Sequence, residues 1–289
     1  MRFLQPDSLP ELARCLGEKS GPDCYLVAGC TDFLAQRNNT PWDARLLISL
    51  VDLPELQEIR LSGERLSIGA ACTHSRVEGH PLVRQYFPAL AAACGNVGSK
   101  QVRNRGTVGG SVGNASPAGD IYPVLLALGA RGVVINSEEA IRRLSMEELV
   151  SPRGRPALEE DEAITAFELP LPGRRNLNAF FKLGEQAHVT IAKLSLAVSL
   201  ELREGRMEQV RLVLGAVARR AFHARSAAAL EGQPLSPELL PPFFEALSAE
   251  IESSIPDRPS MPYKRQAVKG LADDLLSALL SQARDRQLR

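Results

Sequence analysis

Six glycines fall in the 25 residues from Asn96 to Asp120, NVGSKQVRNRGTVGGSVGNASPAGD, with threonine, serine and asparagine between them. Backbone without Cβ atoms can approach a ligand closely, and unpaired N–H groups in such a loop attract anionic oxygens. A second turn, Ala28-Gly29-Cys30-Thr31-Asp32, follows a short apolar run and offers the same chemistry from elsewhere in the chain. Phosphate binding is the expectation for both; the competing reading is that the glycines only make tight turns. Two known phosphate motifs are missing: no GxG occurs, so the GxGxxG fingerprint is absent, and no GK[ST] is present to form a Walker A loop. Gly109-Gly110-Ser111-Val112-Gly113 matches the GxSxG elbow of serine hydrolases, which needs a strand before it and a helix directly after it. Here Asn114-Ala115-Ser116-Pro117 follows, which is loop chemistry, and the later histidines, His188 and His223, stand in no catalytic context.

The five cysteines, Cys15, Cys24, Cys30, Cys72 and Cys94, are odd in number, irregularly spaced and contain no CxxC pair. Neither a zinc site nor an iron–sulfur cluster is expected on this chain, and the thiols read as free groups in a reducing compartment.

These residues must be positioned by a chain of 289 residues, 44% hydrophobic and 24% charged, which is enough apolar material for one large domain or two ordinary ones. Lys+Arg and Asp+Glu are both 34, and this balance weighs against nucleic-acid or anionic-membrane binding. No apolar run reaches 18 residues, and Pro6, Asp7 and Pro10 break any signal-peptide core, so a cytoplasmic protein is expected. Short strands and helices alternate in the first half: a helix ending near Gly17, strands at Cys24–Gly29, Arg45–Leu50 and Arg65–Cys72, a helix at Pro88–Cys94, and strands at Gly129–Asn136 and Ile164–Pro172. A soft boundary lies near Pro172–Asn176, dividing the chain into 1–175 and 176–289. Beyond it, Ile191–Leu202 and Arg206–Val217 read as an antiparallel pair turned at Glu204-Gly205, and a helical region follows, ending in a helix at Met261–Ala283.

Val102–Ala130, VRNRGTVGGSVGNASPAGDIYPVLLALGA, resembles the signature of the FAD-binding medium subunits of molybdenum hydroxylases, the xanthine dehydrogenase and carbon monoxide dehydrogenase family. LVAGCTDFL (Leu26–Leu34) resembles the other flavin loop of that family, and IGAACTHSRVEGHPLV, FFKLGEQ and SMPYKRQAVKGL follow in the family's order, so the likeness covers essentially the whole chain. It implies an α+β fold of the vanillyl-alcohol-oxidase FAD-binding type, in two subdomains, plus a C-terminal domain of short antiparallel sheet and helices. FAD would lie between the N-terminal subdomains. The backbone of Leu26, Val27, Ala28, Gly29, Cys30, Thr31, Asp32 and Phe33, and that of Thr107, Val108, Gly109, Gly110 and Ser111, would hold the pyrophosphate. Gly98, Asn114 and Asp120 would touch other parts of FAD, and Ile164 and Lys182 would sit near the isoalloxazine. Lys182 would then stabilise negative charge on the reduced flavin, and Asp120 would bond polyol hydroxyls or cap the helix that follows it.

The likeness has departures. Cys30 stands where the family often has a second glycine, and Gln186 and Thr190 stand where it often has Arg and Asp, with His188 between them. No cysteine follows Cys94, so the extra iron–sulfur cluster of some relatives is not expected. The implied function is an FAD-carrying electron-transfer subunit with no side-chain nucleophile or metal ligand of its own. Its partners would be a molybdopterin-binding large subunit and a [2Fe–2S] small subunit, and its acceptor NAD or another molecule. The alternatives are a stand-alone flavin oxidoreductase, for which His188 is the least poor acid–base candidate, and a flavin-free interaction subunit, which Cys30, Gln186 and Thr190 would favour.

Overall fold

A computed structural model describes residues 1–37, 44–186 and 189–288. His188 therefore lies outside the described residues. The strands are β1 (Arg2–Leu4), β2 (Cys24–Val27), β3 (Leu46–Ser49), β4 (Ile59–Ser62), β5 (Arg65–Gly69), β6 (Arg131–Ile135), β7 (Ile141–Ser145), β8 (Ala163–Pro170), β9 (Asn176–Leu183), β10 (Leu194–Arg203), β11 (Arg206–Gly215) and β12 (Phe222–His223). The helices are α1 (Leu9–Gly17), α2 (Phe33–Gln36), α3 (His74–Gly79), α4 (Pro81–Tyr86), α5 (Pro88–Asn96), α6 (Lys100–Arg105), α7 (Val108–Asn114), α8 (Ile121–Ala127), α9 (Met146–Leu149), α10 (Leu240–Ser254) and α11 (Met261–Asp285).

The chain forms two compact units that interleave in sequence. The first comprises residues 1–77, 99–115 and 129–170, and the second residues 78–98, 116–128 and 171–289. Unlike a single cut near residue 175, this division sends α4, α5 and α8 of the first half to the second unit.

In the first unit a parallel sheet runs β1-β3-β2. All four residues of LLIS in β3 are buried, as expected for a parallel strand covered on both faces. Parallel strands need a crossover, and α1 supplies it between β1 and β2. Its Leu12, Cys15 and Leu16, at helical spacing, are buried with Leu46, Ile48 and Leu53. A second, antiparallel sheet runs β4-β5-β8-β6-β7. The glycine-rich stretch is attached here, and much of it is helical. Ser99 caps α6 by accepting from the Val102 N–H, and Thr107 caps α7 by accepting from the Gly110 N–H at 3.0 Å. Val108 and Val112 anchor α7 inward, four residues apart, while Gly110, Gly113 and Asn114 stay exposed.

The second unit is an antiparallel sheet, β12-β11-β10-β9, with α10 and α11 contributing to one core that includes Leu196, Leu214, Phe243, Leu247 and Leu275. The β10–β11 hairpin turns at Glu204 (φ 50°) and Gly205 (φ 74°), two left-handed residues suited to the right-handed twist of the strands. Fully buried Asn178 in β9 accepts from the Ala89 N–H at 3.0 Å and donates to Tyr86 O at 3.1 Å, which fixes the start of α5 on the sheet. Among the described residues no helix is long and apolar enough to cross a membrane.

Candidate functional site

The turn after β2 is the part of the first unit best suited to an anion. The amides of Gly29, Cys30, Thr31 and Asp32 have no hydrogen-bond acceptor among the described residues. Cys30 lies at φ 59°, the left-handed region, and such a residue turns successive N–H groups toward one concavity. This explains why a glycine would suit the position. The Cys30 thiol points back to Ala28 O at 3.3 Å. Burial raises its pKa, with Arg105 pulling the other way, so it is neither a nucleophile nor an obstruction to the amides. Thr31 and Asp32 are exposed, while Leu26, Ala28 and Phe33 are half-buried and Val27 is buried.

The two glycine-bearing segments meet in this unit. A Cβ on Gly29 would stand 1.9 Å from Arg105 O and 2.9 Å from Gly106 Cα, so this glycine is required by the approach of the two backbones. A Cβ on Gly106 would meet the His74 ring at 3.2 Å and Thr31 Oγ1 at 3.3 Å. The α6–α7 junction therefore lies directly against the open turn.

The start of α7 differs from the expectation that its amides hold phosphate. The Val108 N–H donates to Cys72 O (3.0 Å), Gly109 to Ala70 O (2.8 Å), Gly110 to the Thr107 hydroxyl and Ser111 to Thr107 O (3.0 Å). Thr107 itself is buried, its oxygen committed to the cap. Gly109 is bare for a local reason as well: a Cβ there would meet both Cβ and O of Ala70 at 2.6 Å. What α7 offers a ligand is its outer face. Gly113 has open space around it, Asn114 is exposed, and half-buried Ser111 carries a hydroxyl.

That hydroxyl lies 3.2 Å from Nε2 of His74, a residue to which the sequence assigned no role. His74 is 1% exposed, and burial, helped by Arg103, lowers its pKa to about 4. A serine beside a histidine revives the hydrolase question, but Ser111 sits inside a helix, and Nδ1 of His74 has no partner to orient or strengthen it as a base. A lone histidine carries no signal by itself, and only the fold brings His74, at the start of α3, to Ser111.

Ile164 is buried in β8 of this unit. The other expected residues belong to the second unit. Gly98 has φ 44°, a conformation glycine adopts at no steric cost. Lys182 and Asp120 form a buried ion pair at 2.6 Å, their side chains 6% and 7% exposed. The Lys182 ammonium also donates to Asn96 O (2.7 Å) and Thr190 O (3.2 Å), so all three of its protons are engaged. Asp120 occupies the N-cap position of α8 but makes no capping bond. Its Oδ2 faces Lys182, and its Oδ1 is buried without a partner. Burial pushes this carboxyl up to about 6 despite the pull of Lys182. An orphaned buried acceptor of this kind suits a ligand hydroxyl. Gln186 is exposed, and Thr190 packs against Gly184 and accepts from the Glu185 N–H.

The residues present thus fit the diphosphate of FAD: the open turn of the first unit offers the amides of Gly29–Asp32 to anionic oxygens. Among the described residues no cluster of His, Cys, Asp or Glu suits a metal ion. Residues 1–172 match the family of the FAD binding domain in molybdopterin dehydrogenase, and residues 179–279 match the CO dehydrogenase flavoprotein C-terminal domain. The chain is 29% identical to the nicotinate dehydrogenase FAD-subunit of Eubacterium barkeri, covering 97% of this chain and 96% of that one. It is 26% identical to a putative xanthine dehydrogenase FAD-binding subunit of Escherichia coli K12, over 91% and 90% of the two chains. It also superposes on a chain of carbon monoxide dehydrogenase from Hydrogenophaga pseudoflava with a TM-score of 0.87, 26% identity and 98% of both chains covered. With residues 1–172 and 179–279 matched by these two family models, the chain belongs to the FAD-binding subunit family of the molybdenum hydroxylases.

Proposed function

We propose that this chain is the electron-transfer subunit of a cytoplasmic molybdenum hydroxylase, working with a molybdopterin-binding large subunit and a [2Fe–2S] small subunit. The observation that carries the reading is the run of amides at Gly29–Asp32 without an acceptor among the described residues, in a chain of this family. Bound FAD supplies the redox chemistry that links one-electron donors such as [2Fe–2S] clusters to NAD or another acceptor. The protein's part is to bind and tune. Gly29–Asp32 donate to the diphosphate, the outer face of α7 with Ser111 and Asn114 lines the ligand, and Ile164 supplies an apolar wall. Asp120 Oδ1 accepts from a polyol or sugar hydroxyl. Lys182, whose protons are all engaged, orients Asp120 and contributes positive charge at a distance. We assign the flavin-binding part to residues 1–175 and the C-terminal domain to residues 176–289. None of the five cysteines is in a disulfide, which suits a reducing compartment.

The test is isolation from the native source through a tag on this chain. The expected result is a complex carrying a molybdenum protein and a [2Fe–2S] protein, whose substrate reduces the flavin. Full substrate turnover by this chain alone would overturn the partnered reading in favour of a stand-alone flavin enzyme.

A further inference from the structure

We propose that His74 is a positioning residue for the phosphate site. Its Nε2–H holds the Ser111 oxygen as an acceptor, so that the Ser111 hydroxyl must give its own proton to a phosphate oxygen of the bound dinucleotide. The inference rests on the FAD reading above.

The argument is one of proton counting. The ring is buried and neutral, so it carries a single N–H. Among the described residues Nδ1 has no hydrogen-bond partner, whereas Nε2 lies 3.2 Å from Ser111 Oγ. A proton on Nδ1 would be a buried donor with nothing to receive it, and such groups are rarer in folded proteins than under-used acceptors. The proton therefore belongs on Nε2, where Ser111 receives it. A serine inside a helix commonly donates to the carbonyl four residues back. Here Thr107 O accepts the Ser111 N–H and no bond from the Ser111 hydroxyl. The Ser111 proton is thus left without an acceptor among the described residues, on a half-buried side chain open to a ligand.

The surroundings place this proton beside the open turn. The backbone N–H of His74 donates to Gly106 O at 3.0 Å, which holds this residue against the α6–α7 junction. The space that a Cβ on Gly106 would fill is bounded by the His74 ring and the Thr31 hydroxyl together. The imidazole is thus wedged between the turn that supplies amides and the helix that supplies the hydroxyl. A serine pointing its oxygen outward would repel phosphate, and His74 removes that choice.

The test uses the full-length chain stripped of flavin and titrated with FAD by flavin fluorescence. Ser111→Ala and His74→Met should each weaken FAD binding by about tenfold, the scale of one hydrogen bond to a charged group. The double variant should be no weaker than either single one, because the two residues act through one bond. His74→Gln, whose amide N–H can stand in for Nε2–H, should restore affinity to within about threefold of wild type. Nitrogen NMR of the wild-type imidazole, which needs no variant to fold, should find the proton on Nε2 in the flavin-free chain. A proton on Nδ1 overturns the inference, as do losses that multiply in the double variant or a His74→Gln as weak as His74→Met. A wild-type chain that takes up no FAD overturns the flavin reading and this inference together, whereas FAD binding with multiplying losses overturns the inference alone.

Discussion

Gly29→Val should abolish FAD uptake while leaving the second unit folded. The new Cβ would start 1.9 Å from Arg105 O and 2.6 Å from Arg105 C. Both are backbone atoms, so no rotamer change relieves the overlap, and the turn must separate from the α6–α7 junction. Overpacking of this kind costs about 1–3 kcal/mol where side chains can move and more where backbone blocks them. The shift also disperses the Gly29–Asp32 amides, which must converge to hold a diphosphate. The expected outcome is a loss of at least about a hundredfold in FAD affinity, equivalent to roughly 2.8 kcal/mol. Flavin fluorescence titration reads the affinity, and hydrogen exchange shows whether the loosening is confined to residues 28–32 and 105–108. Gly173→Ala, with open space around it, is the control. Affinity within about threefold of wild type in Gly29→Val would show that the turn does not carry the phosphates.

Lys182→Met should destabilise the protein by about 3–5 kcal/mol at neutral pH, the usual cost of stranding one charge of a buried pair. The variant leaves Asp120 with neither oxygen partnered, since Oδ1 is already alone and Oδ2 loses its ammonium. The pH dependence follows from the carboxyl being raised to about 6 in the fold, above the roughly 3.9 of an unfolded aspartate. A carboxyl raised by folding contributes stability below its unfolded pKa, and that contribution is lost as pH rises through the folded value. Without Lys182 the folded pKa climbs further, so Asp120 takes up a proton at higher pH and the charge is no longer buried. Urea unfolding at about pH 5.5 should therefore show a smaller deficit relative to wild type than unfolding at about pH 8. Lys182→Met with Asp120→Asn should recover much of the loss at pH 8 and flatten the pH dependence. An equal deficit at both pH values would mean that Asp120 is not the stranded charge.

Much of this molecule was readable before any coordinates, and the rest fails for identifiable reasons. The strands at Cys24–Val27, Leu46–Ser49 and Leu194–Arg203, the Glu204-Gly205 hairpin and the long final helix follow from apolar runs, turn residues and helical period. The helix at Val108–Asn114 does not, because three glycines and a serine outweigh Val108 and Val112 in any local reading. It forms because Thr107 caps it and because Ala70 and Cys72 accept its first amides, and neither partner is near in sequence. The short strands β4 and β7 are sheet edges interrupted by arginines, which pairing rather than composition defines. At the site, the two glycine segments were legible as a phosphate feature, but the division of labour between them was not. Which amides are free depends on which carbonyls arrive opposite, so α7 loses its donors to Ala70 and Cys72 while the turn at Gly29–Asp32 keeps its own. Lys182 and Asp120 were legible only through family resemblance, and their pairing became visible once the fold brought the end of β9 to the N-terminus of α8.

The most direct measurement is a titration of the 15N-labelled, flavin-free chain with FAD, followed by the backbone amide resonances of the two segments. A single FAD should saturate the chain, and the amides of Gly29, Cys30, Thr31 and Asp32 should shift strongly as they acquire phosphate acceptors. Those of Val108, Gly109, Gly110 and Ser111, already bonded within the protein, should keep their hydrogen-bond signatures. Strong shifts at Val108–Ser111 with none at Gly29–Asp32, or no binding of FAD, would contradict the account.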